Sequence, residues 1–230
     1  MKKRPQDVVE VRYNPRSSND TWREIGDLAK AHRIPIRFGI SPETRPNREG
    51  VKEGREGGAQ ALVKELEAQT LDEIFLRTKK PGIWLALDCL QDPHNVGAVV
   101  RTASFFGVRG IVHTKDKSAP LSAVVYDTAT GGMESVPFAL PPNLAGALEI
   151  AQKKGLWVLG TSEHAEKSID QIDRDRDWLV VVGNEEKGLR RLTLDRSDEV
   201  CRVSPRGEVT SLNVSVATGV LLALLTPPAT

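Results

Sequence analysis

The chain has 230 residues, 39% of them hydrophobic and 27% charged, which suits one good-sized domain with a small appendage. A formal net charge of +1 excludes a protein that coats nucleic acid non-specifically, because phosphate binding needs concentrated Lys and Arg; recognition of RNA through locally clustered basic residues stays open. Two cysteines (Cys89, Cys201) make no disulfide framework, and the four histidines (His32, His94, His113, His164) show no metal-ligand spacing. Apolar runs such as 214–225 are too short for a bilayer, and no apolar segment follows the basic residues 1–5. The expectation is a cytosolic or organelle-matrix protein without membrane or metal partners.

Residues 8–13 alternate as a strand, Asn19-Asp20 can cap a helix over 21–32, and 34–38 reads as a short edge strand, where Pro35 is tolerated. Lys2, Lys3, Arg4, Arg12, Arg16, Arg23, Lys30, Arg33 and Arg37 outnumber the local acids, as on an RNA-facing surface or simply a solvated one. Residues 41–60 are rich in Pro, Gly, Glu and Arg and read as a mobile loop or linker. Leu62, Leu66, Leu71 and Ile74 have helical spacing, which predicts a helix over 61–77 in a connecting segment that runs to 81. The domain expectation is therefore a small module over 1–60, a connector over 61–81 and a main domain over 82–230.

From Gly82 the texture changes. Apolar strands are expected at 83–88, 110–113, 156–160, 178–183 and 199–203, with helices at 96–106, 121–130, 143–154 and 189–196. This alternation predicts an α/β domain with a parallel sheet covered on both faces, and such sheets bind ligands beyond the carboxyl ends of their strands.

Three blocks stand at those strand ends. The first, DCLQDPHNVGAVVRTA over 88–103, has a turn at Asp92-Pro93 and an Asn95 suited to cap a helix starting at Val96. Val96, Val99, Val100, Ala103 and Phe106 form a buried stripe that excludes Arg101, and Gly97 one turn earlier leaves room beside the guanidinium. The plain alternative is a capping Asn and a surface Arg. The second block, VVVGNEEKGL over 180–189, is a strand running into a Gly-bounded loop with Glu185 and Glu186. The third, VCRVSPRGEVTSLNVSVATGVLL over 200–222, is a strand, a glycine-containing loop and a Ser-capped apolar helix restarting at Ser211-Leu212-Asn213, read as buried with one polar stripe. Ser211, Ser215 and Thr218 then share one helix face; the plain reading of that stripe is hydroxyls bonding back to helix carbonyls. Cys89–Asn95 contains no glycine, which excludes a Rossmann fingerprint, and a P-loop is missing. His94 reads as loop surface rather than catalyst.

The three blocks resemble, in order, the three motifs of the SpoU (TrmH) family of RNA ribose 2′-O-methyltransferases; Ser211–Ser215 stands as that family's Ser-Leu-Asn-Val-Ser. The resemblance spans roughly 83–225. The runs KDKSAPL (115–121) and GGMESVP (131–137) are similar to the branch that methylates guanosine in ribosomal RNA. Residues before Gly82 resemble that branch's small ribosomal-protein-like RNA-binding domain without its first helix. Arg55-Glu56-Gly57 stands where a His-Gln-Gly run is usual, and Val203-Ser204-Pro205 replaces Ile-Pro-Met in the third motif.

The resemblance implies a SPOUT-type parallel sheet with a C-terminal trefoil knot, a homodimer, and S-adenosyl-L-methionine held by Thr161, Gly183, Val203 and Leu212. It implies catalytic positions at Asn95, Arg101, Glu185, Ser211 and Asn213, and RNA as substrate, ribosomal before transfer RNA. A tRNA ribose methyltransferase and a catalytically silent RNA-binding protein on the same fold are the alternatives.

Overall fold

The computed structural model describes residues 2–13, 20–38, 59–184 and 186–226, so Glu185 and all but the last two residues of the linker expected at 41–60 lie outside the described residues. The chain divides into two compact units, Met1–Glu67 and Ala68–Thr230.

The first unit holds a three-stranded sheet. β1 (Val8–Tyr13) pairs in parallel with β2 (Ile36–Phe38) and antiparallel with β3 (Ala59–Val63), and α1 (Asp20–Ala31) links the parallel pair. β2 is at an edge, as Pro35 requires, and the carbonyl of Pro35 still accepts the N–H of Val11 at 2.9 Å. Val8, Val11, Ala29 and Ile34 make the core, with Ile25 and Ile36 against it. Several of the basic residues are already paired: Lys2 with Glu24 at 2.6 Å, Arg4 with Asp7 at 3.3 Å, and both Arg12 and Arg37 with the buried Glu10. The expected positive surface is partly neutralised.

The helix expected over 61–77 does not form. Its first residues are β3, in register Val11↔Ala61, and only Leu71–Ile74 (α2) is helical. Two local facts decide this. The open edge of β1 recruits 59–63, and Thr70 with Glu73 closes a capping box that starts a helix at Leu71. The small sheet thus extends past residue 60, and the units part between Glu67 and Ala68.

The second unit is a seven-stranded sheet built from β4 (Ile83–Asp88), β5 (Ile111–His113), β6 (Phe138–Ala139), β7 (Trp157–Thr161), β8 (Lys167–Ser168), β9 (Trp178–Gly183) and β10 (Glu199–Arg202). The order is β6-β5-β4-β9-β7-β10-β8, and every pairing is parallel. The two-residue strands β6 and β8 at the edges escape a reading based on periodicity. The helices are α3 (Pro93–Phe105), α4 (Ala123–Ala129), α5 (Leu144–Lys153), α6 (Arg191–Asp195) and α7 (Val214–Leu225). Trp84, Leu85, Ala86 and Leu87 in β4 and Leu179, Val180 and Val181 in β9 have no more than trace exposure, as strands covered on both faces must. No helix among the described residues is long and apolar enough to cross a membrane.

His113 ends β5, 2% exposed, with its Nε2 2.9 Å from the carbonyl of Ala119. A carbonyl only accepts, so Nε2 carries the proton in this contact. Burial holds the imidazole below its ordinary pKa, outweighing the opposing pull of that carbonyl. A depressed folded pKa means that the unfolded chain binds the proton first. The contribution to stability is therefore complete above about pH 6.5 and is lost as the pH falls through the lower folded value. In urea titrations from pH 7.5 to 5, wild type should lose more stability on acidification than His113→Phe; equal losses would contradict this account.

Candidate active site

The site grows from the carboxyl ends of adjacent strands. Ladder registers Asp88↔Gly183, Gly160↔Val181 and Cys201↔Thr161 bring the ends of β4, β9, β7 and β10 to one edge. Gly183 must be glycine: a Cβ there would lie 2.4 Å from the Gly188 carbonyl carbon, where the loop folds back as the bridge Asn184↔Gly188. Asn184 organises that loop. Its Oδ1 accepts the N–H groups of Glu186 and Lys187 at 3.0 and 3.1 Å, and its Nδ2 donates to the Cys89 carbonyl at 3.1 Å.

Asp88 anchors the same region. Its fully buried carboxylate accepts the Arg190 N–H at 3.1 Å, the Arg190 Nε–H at 2.6 Å and the Thr193 hydroxyl at 2.8 Å. Sequence reasoning passed over both Asp88 and Asn184; an acid closing an otherwise apolar strand is the signal that was available. Cys89 follows with a positive φ of 60°, turning the chain out of the sheet. Burial, and then the charge of Asp88, push its thiol up, while burial and Glu199 push Cys201 to about 12. Both thiols are neutral near pH 7.

Asn95 is not the helix cap. α3 begins two residues earlier, with Asp92 accepting the His94 N–H at 2.8 Å and Pro93 in the first turn, where its missing donor costs nothing. His94 accordingly stands exposed on that first turn, not in a loop. Asn95 is therefore half-buried and available for another task. Its Oδ1 accepts a hydrogen bond from Asn213 Nδ2 at 3.0 Å, joining the first and third motifs across 118 residues.

Asn213, not Ser211, caps α7. Its Oδ1 accepts the Ser215 N–H at 2.9 Å and the Ser215 hydroxyl at 2.6 Å. That fixes the orientation of the amide, since the oxygen is committed to the helix and only nitrogen faces Asn95. Ser211 sits outside the helix, exposed, so the expected stripe of Ser211, Ser215 and Thr218 does not share a helix face. Thr218 is buried and donates back to the Val214 carbonyl at 2.7 Å, the plain reading of that hydroxyl. Nor is α7 buried all round, because Val216 is 52% exposed.

Arg101 lies two turns along α3 from Asn95, exposed, with no hydrogen bond or ion pair to another described residue. Gly97 does not make room for it. A Cβ at Gly97 would meet Thr128 Cβ at 2.5 Å, so this glycine lets α4 approach α3. Arg101 instead borders a cleft of about 700 Å³ that includes Phe105, Phe106, Gly131 and Ser135.

Of the expected cofactor residues, Thr161 and Gly183 end β7 and β9, Val203 directly follows β10, and Leu212 precedes the cap of α7. The Thr161 hydroxyl donates its proton to the Val181 carbonyl at 2.9 Å, so beyond its backbone groups it can offer only an acceptor oxygen. Among the described residues, no backbone N–H from 204 to 212 donates to a protein acceptor. Val209 and Leu212 of this loop are 77% and 51% exposed. Free donors beside apolar surface fit a nucleoside-bearing cofactor, which takes hydrogen bonds at its base edge and van der Waals contact on its faces.

Residues 82–223 match the family described as SpoU rRNA Methylase. The chain belongs to that family. One curated member, the 23S rRNA (guanosine-2'-O-)-methyltransferase RlmB of Pseudomonas aeruginosa, is 38% identical, covering 92% of this chain and 89% of its own. Another, described as the putative TrmH family tRNA/rRNA methyltransferase YacO of Bacillus subtilis, is 34% identical, covering 87% and 80%. The SpoU methyltransferase AviRb from Streptomyces viridochromogenes, solved in complex with AdoMet, superposes with a TM-score of 0.76 at 22% identity, covering 95% of this chain and 82% of its own. At that identity the likeness is one of fold.

The two duties of Asn213 are separable. Asn213→Ala should lower the unfolding free energy by about 0.5–2 kcal/mol through loss of the cap. Asn213→Asp keeps the acceptor for Ser215 but has no donor for Asn95, so it should unfold near the wild-type midpoint and yet share the activity loss of the Ala variant. Full activity in Asn213→Asp would show the Asn95 contact to be idle.

Proposed function

We propose that this protein methylates a ribose 2′-hydroxyl of a guanosine in large-subunit ribosomal RNA, using S-adenosylmethionine. The observation that carries this reading is the 38% identity to the P. aeruginosa guanosine-2'-O-methyltransferase across 92% of the chain. The Bacillus relative, described as acting on tRNA or rRNA, keeps a transfer-RNA substrate as the second reading. A silent RNA-binding role is disfavoured by the organised Asn95–Asn213 pair and the unpaired Arg101.

Thr161, Gly183, Val203 and Leu212 would hold the cofactor, chiefly through backbone groups at the ends of β7, β9 and β10. When bound, it supplies a methyl group on an electrophilic sulfonium. A 2′-hydroxyl attacks such a centre well only as its proton leaves. Arg101 stays protonated in a protein, so it acts as a fixed positive charge beside the developing alkoxide, with a phosphate contact as a further anchor. Asn95, oriented by Asn213, positions the ribose together with Ser211. Glu185 is assigned either to orienting Arg101 or to taking up the proton.

The trefoil knot belongs to the same reading; the insertion of β10 between β7 and β8 and the packing of α7 on α3 support it. A homodimer would cover the exposed apolar residues Val216 and Leu212. RNA contact by the small unit fits exposed cations such as Arg33.

Arg101→Ala tests the mechanism. By isothermal titration its affinity for S-adenosylmethionine should match wild type, while single-turnover methylation of 23S rRNA falls by a factor on the order of 10²–10³. Arg101→Lys should recover little, because an ammonium cannot hold phosphate and ribose with one planar fork. Near wild-type rates would remove Arg101 from the reaction.

A further inference from the structure

The cleft beside Arg101 touches the chemistry just described only through that arginine; the rest of its lining has no role in it. It lies between the C-terminal half of α3 and the turn at 130–135, and its walls include Ser104, Phe105, Phe106, Thr130 and Ser135. Phe105 is 83% exposed, the most solvent-open of the large apolar side chains among the described residues. It is held, not loose: its ring stands edge-to-face on Phe106, centroids 5.1 Å apart at 82°. A fixed, solvent-open aromatic ring thus lines a cavity that also includes a guanidinium and hydroxyls.

We propose that this cleft is a subsite for one unpaired nucleotide of the substrate RNA, its base stacked on Phe105 and its phosphate met by Arg101. The ligand class rests on the reading of the protein as an RNA methyltransferase; the shape and chemistry of the cleft are independent of it. The volume of about 700 Å³ falls in the range of small-molecule sites and is ample for a single nucleotide. A flat apolar ring with an adjacent cation is the combination by which proteins hold single-stranded RNA, since every base has a π-face and every nucleotide a charge. An enzyme that reaches one ribose of a folded RNA must also hold that nucleotide or its neighbour out of the stack, and an aromatic platform offsets the lost stacking.

A second copy of this chain is the competing occupant. The lining argues against it. An unpaired guanidinium and several hydroxyls are the wrong composition for the core of a protein interface, from which charge is depleted. The apolar surface on α7, with Val216, suits that role better.

The test uses the full chain and an RNA hairpin carrying 2-aminopurine in its loop. Wild type should quench the 2-aminopurine fluorescence on binding. Phe105→Ala should weaken binding by about 5- to 150-fold, the loss of one base-on-ring stack, and abolish the quench. Phe105→Trp should retain both, whereas Phe105→Leu, apolar but without a π-face, should resemble Ala. S-adenosylmethionine affinity and sedimentation should be unchanged in all three, which also certifies that they fold. Binding unaltered in Phe105→Ala, a Leu variant as good as Trp, or absence of quench in wild type would overturn the subsite. A changed oligomeric mass in Phe105→Ala would overturn it in favour of a second copy. Quenching without methyl transfer to any rRNA would defeat the enzymatic reading and leave the subsite standing. Methyl transfer with undiminished binding in Phe105→Ala would do the reverse.

Discussion

A buried carboxylate holds this site in place. Asp88 terminates the interior strand β4 at a depth where an unpaired charge costs several kcal/mol, and three donors from the start of α6 offset that cost. The result is a clasp between the strand that leads into the first motif and the loop that carries the second. Asn184 adds a second clasp by donating to the carbonyl of Cys89, the residue immediately after Asp88. With both closed, the left-handed turn at Cys89 launches α3 in a fixed direction. Asn213 then ties the third motif to α3. None of these three linkages needs to touch the substrate; together they set where the groups that do touch it will stand.

Contrast among the arginines supports the division of labour. Arg190 is committed to Asp88, Arg77 and Arg109 approach Asp177, and Arg176 pairs with Asp173 while its guanidinium lies 4.0 Å above the Trp157 ring. Each of these charges is used up in holding the structure. Arg101 is left without an ion pair to any described acid, at the border of a cleft. A charge kept free in this way strengthens the interaction with an incoming anion and needs little rearrangement when that anion forms.

Most of the sheet could be read from the chain because its strands are continuous apolar runs between turn residues, and five of the seven fall within a residue or so of their expected bounds. What resisted reading was anything decided by a partner far away in sequence. Leu62 has perfectly good helical spacing, but β1 offers 59–63 a free edge, and pairing outweighs propensity. The caps failed in a different way. Asp92 and Asn95, like Ser211 and Asn213, are pairs in which either member is chemically able to cap; Pro93 and Ser215 decide between them. Of the expected site residues, Thr161, Gly183 and Val203 lie at the carboxyl ends of β7, β9 and β10, whereas Arg101 stands two turns along α3. The contact that joins two of them, Asn95 with Asn213, spans 118 residues and has no local trace. Gly97 shows the limit of reading one helix at a time, since its lack of a side chain serves α4, an element its own periodicity cannot see.

The position of β10 carries a consequence for how the protein is born. A chain leaving the ribosome presents β4, β7, β8 and β9 before the strand inserted between β7 and β8 and the helix that docks on α3. Until then β7 has an open edge and Asn95 lacks Asn213. The nascent protein therefore already carries Arg101 and the cleft residues, but it lacks the loop with free backbone donors. Competence to engage a nucleoside cofactor is withheld until β10 and α7 have emerged, so a shorter nascent chain has no means of acting on the ribosomal RNA that surrounds it.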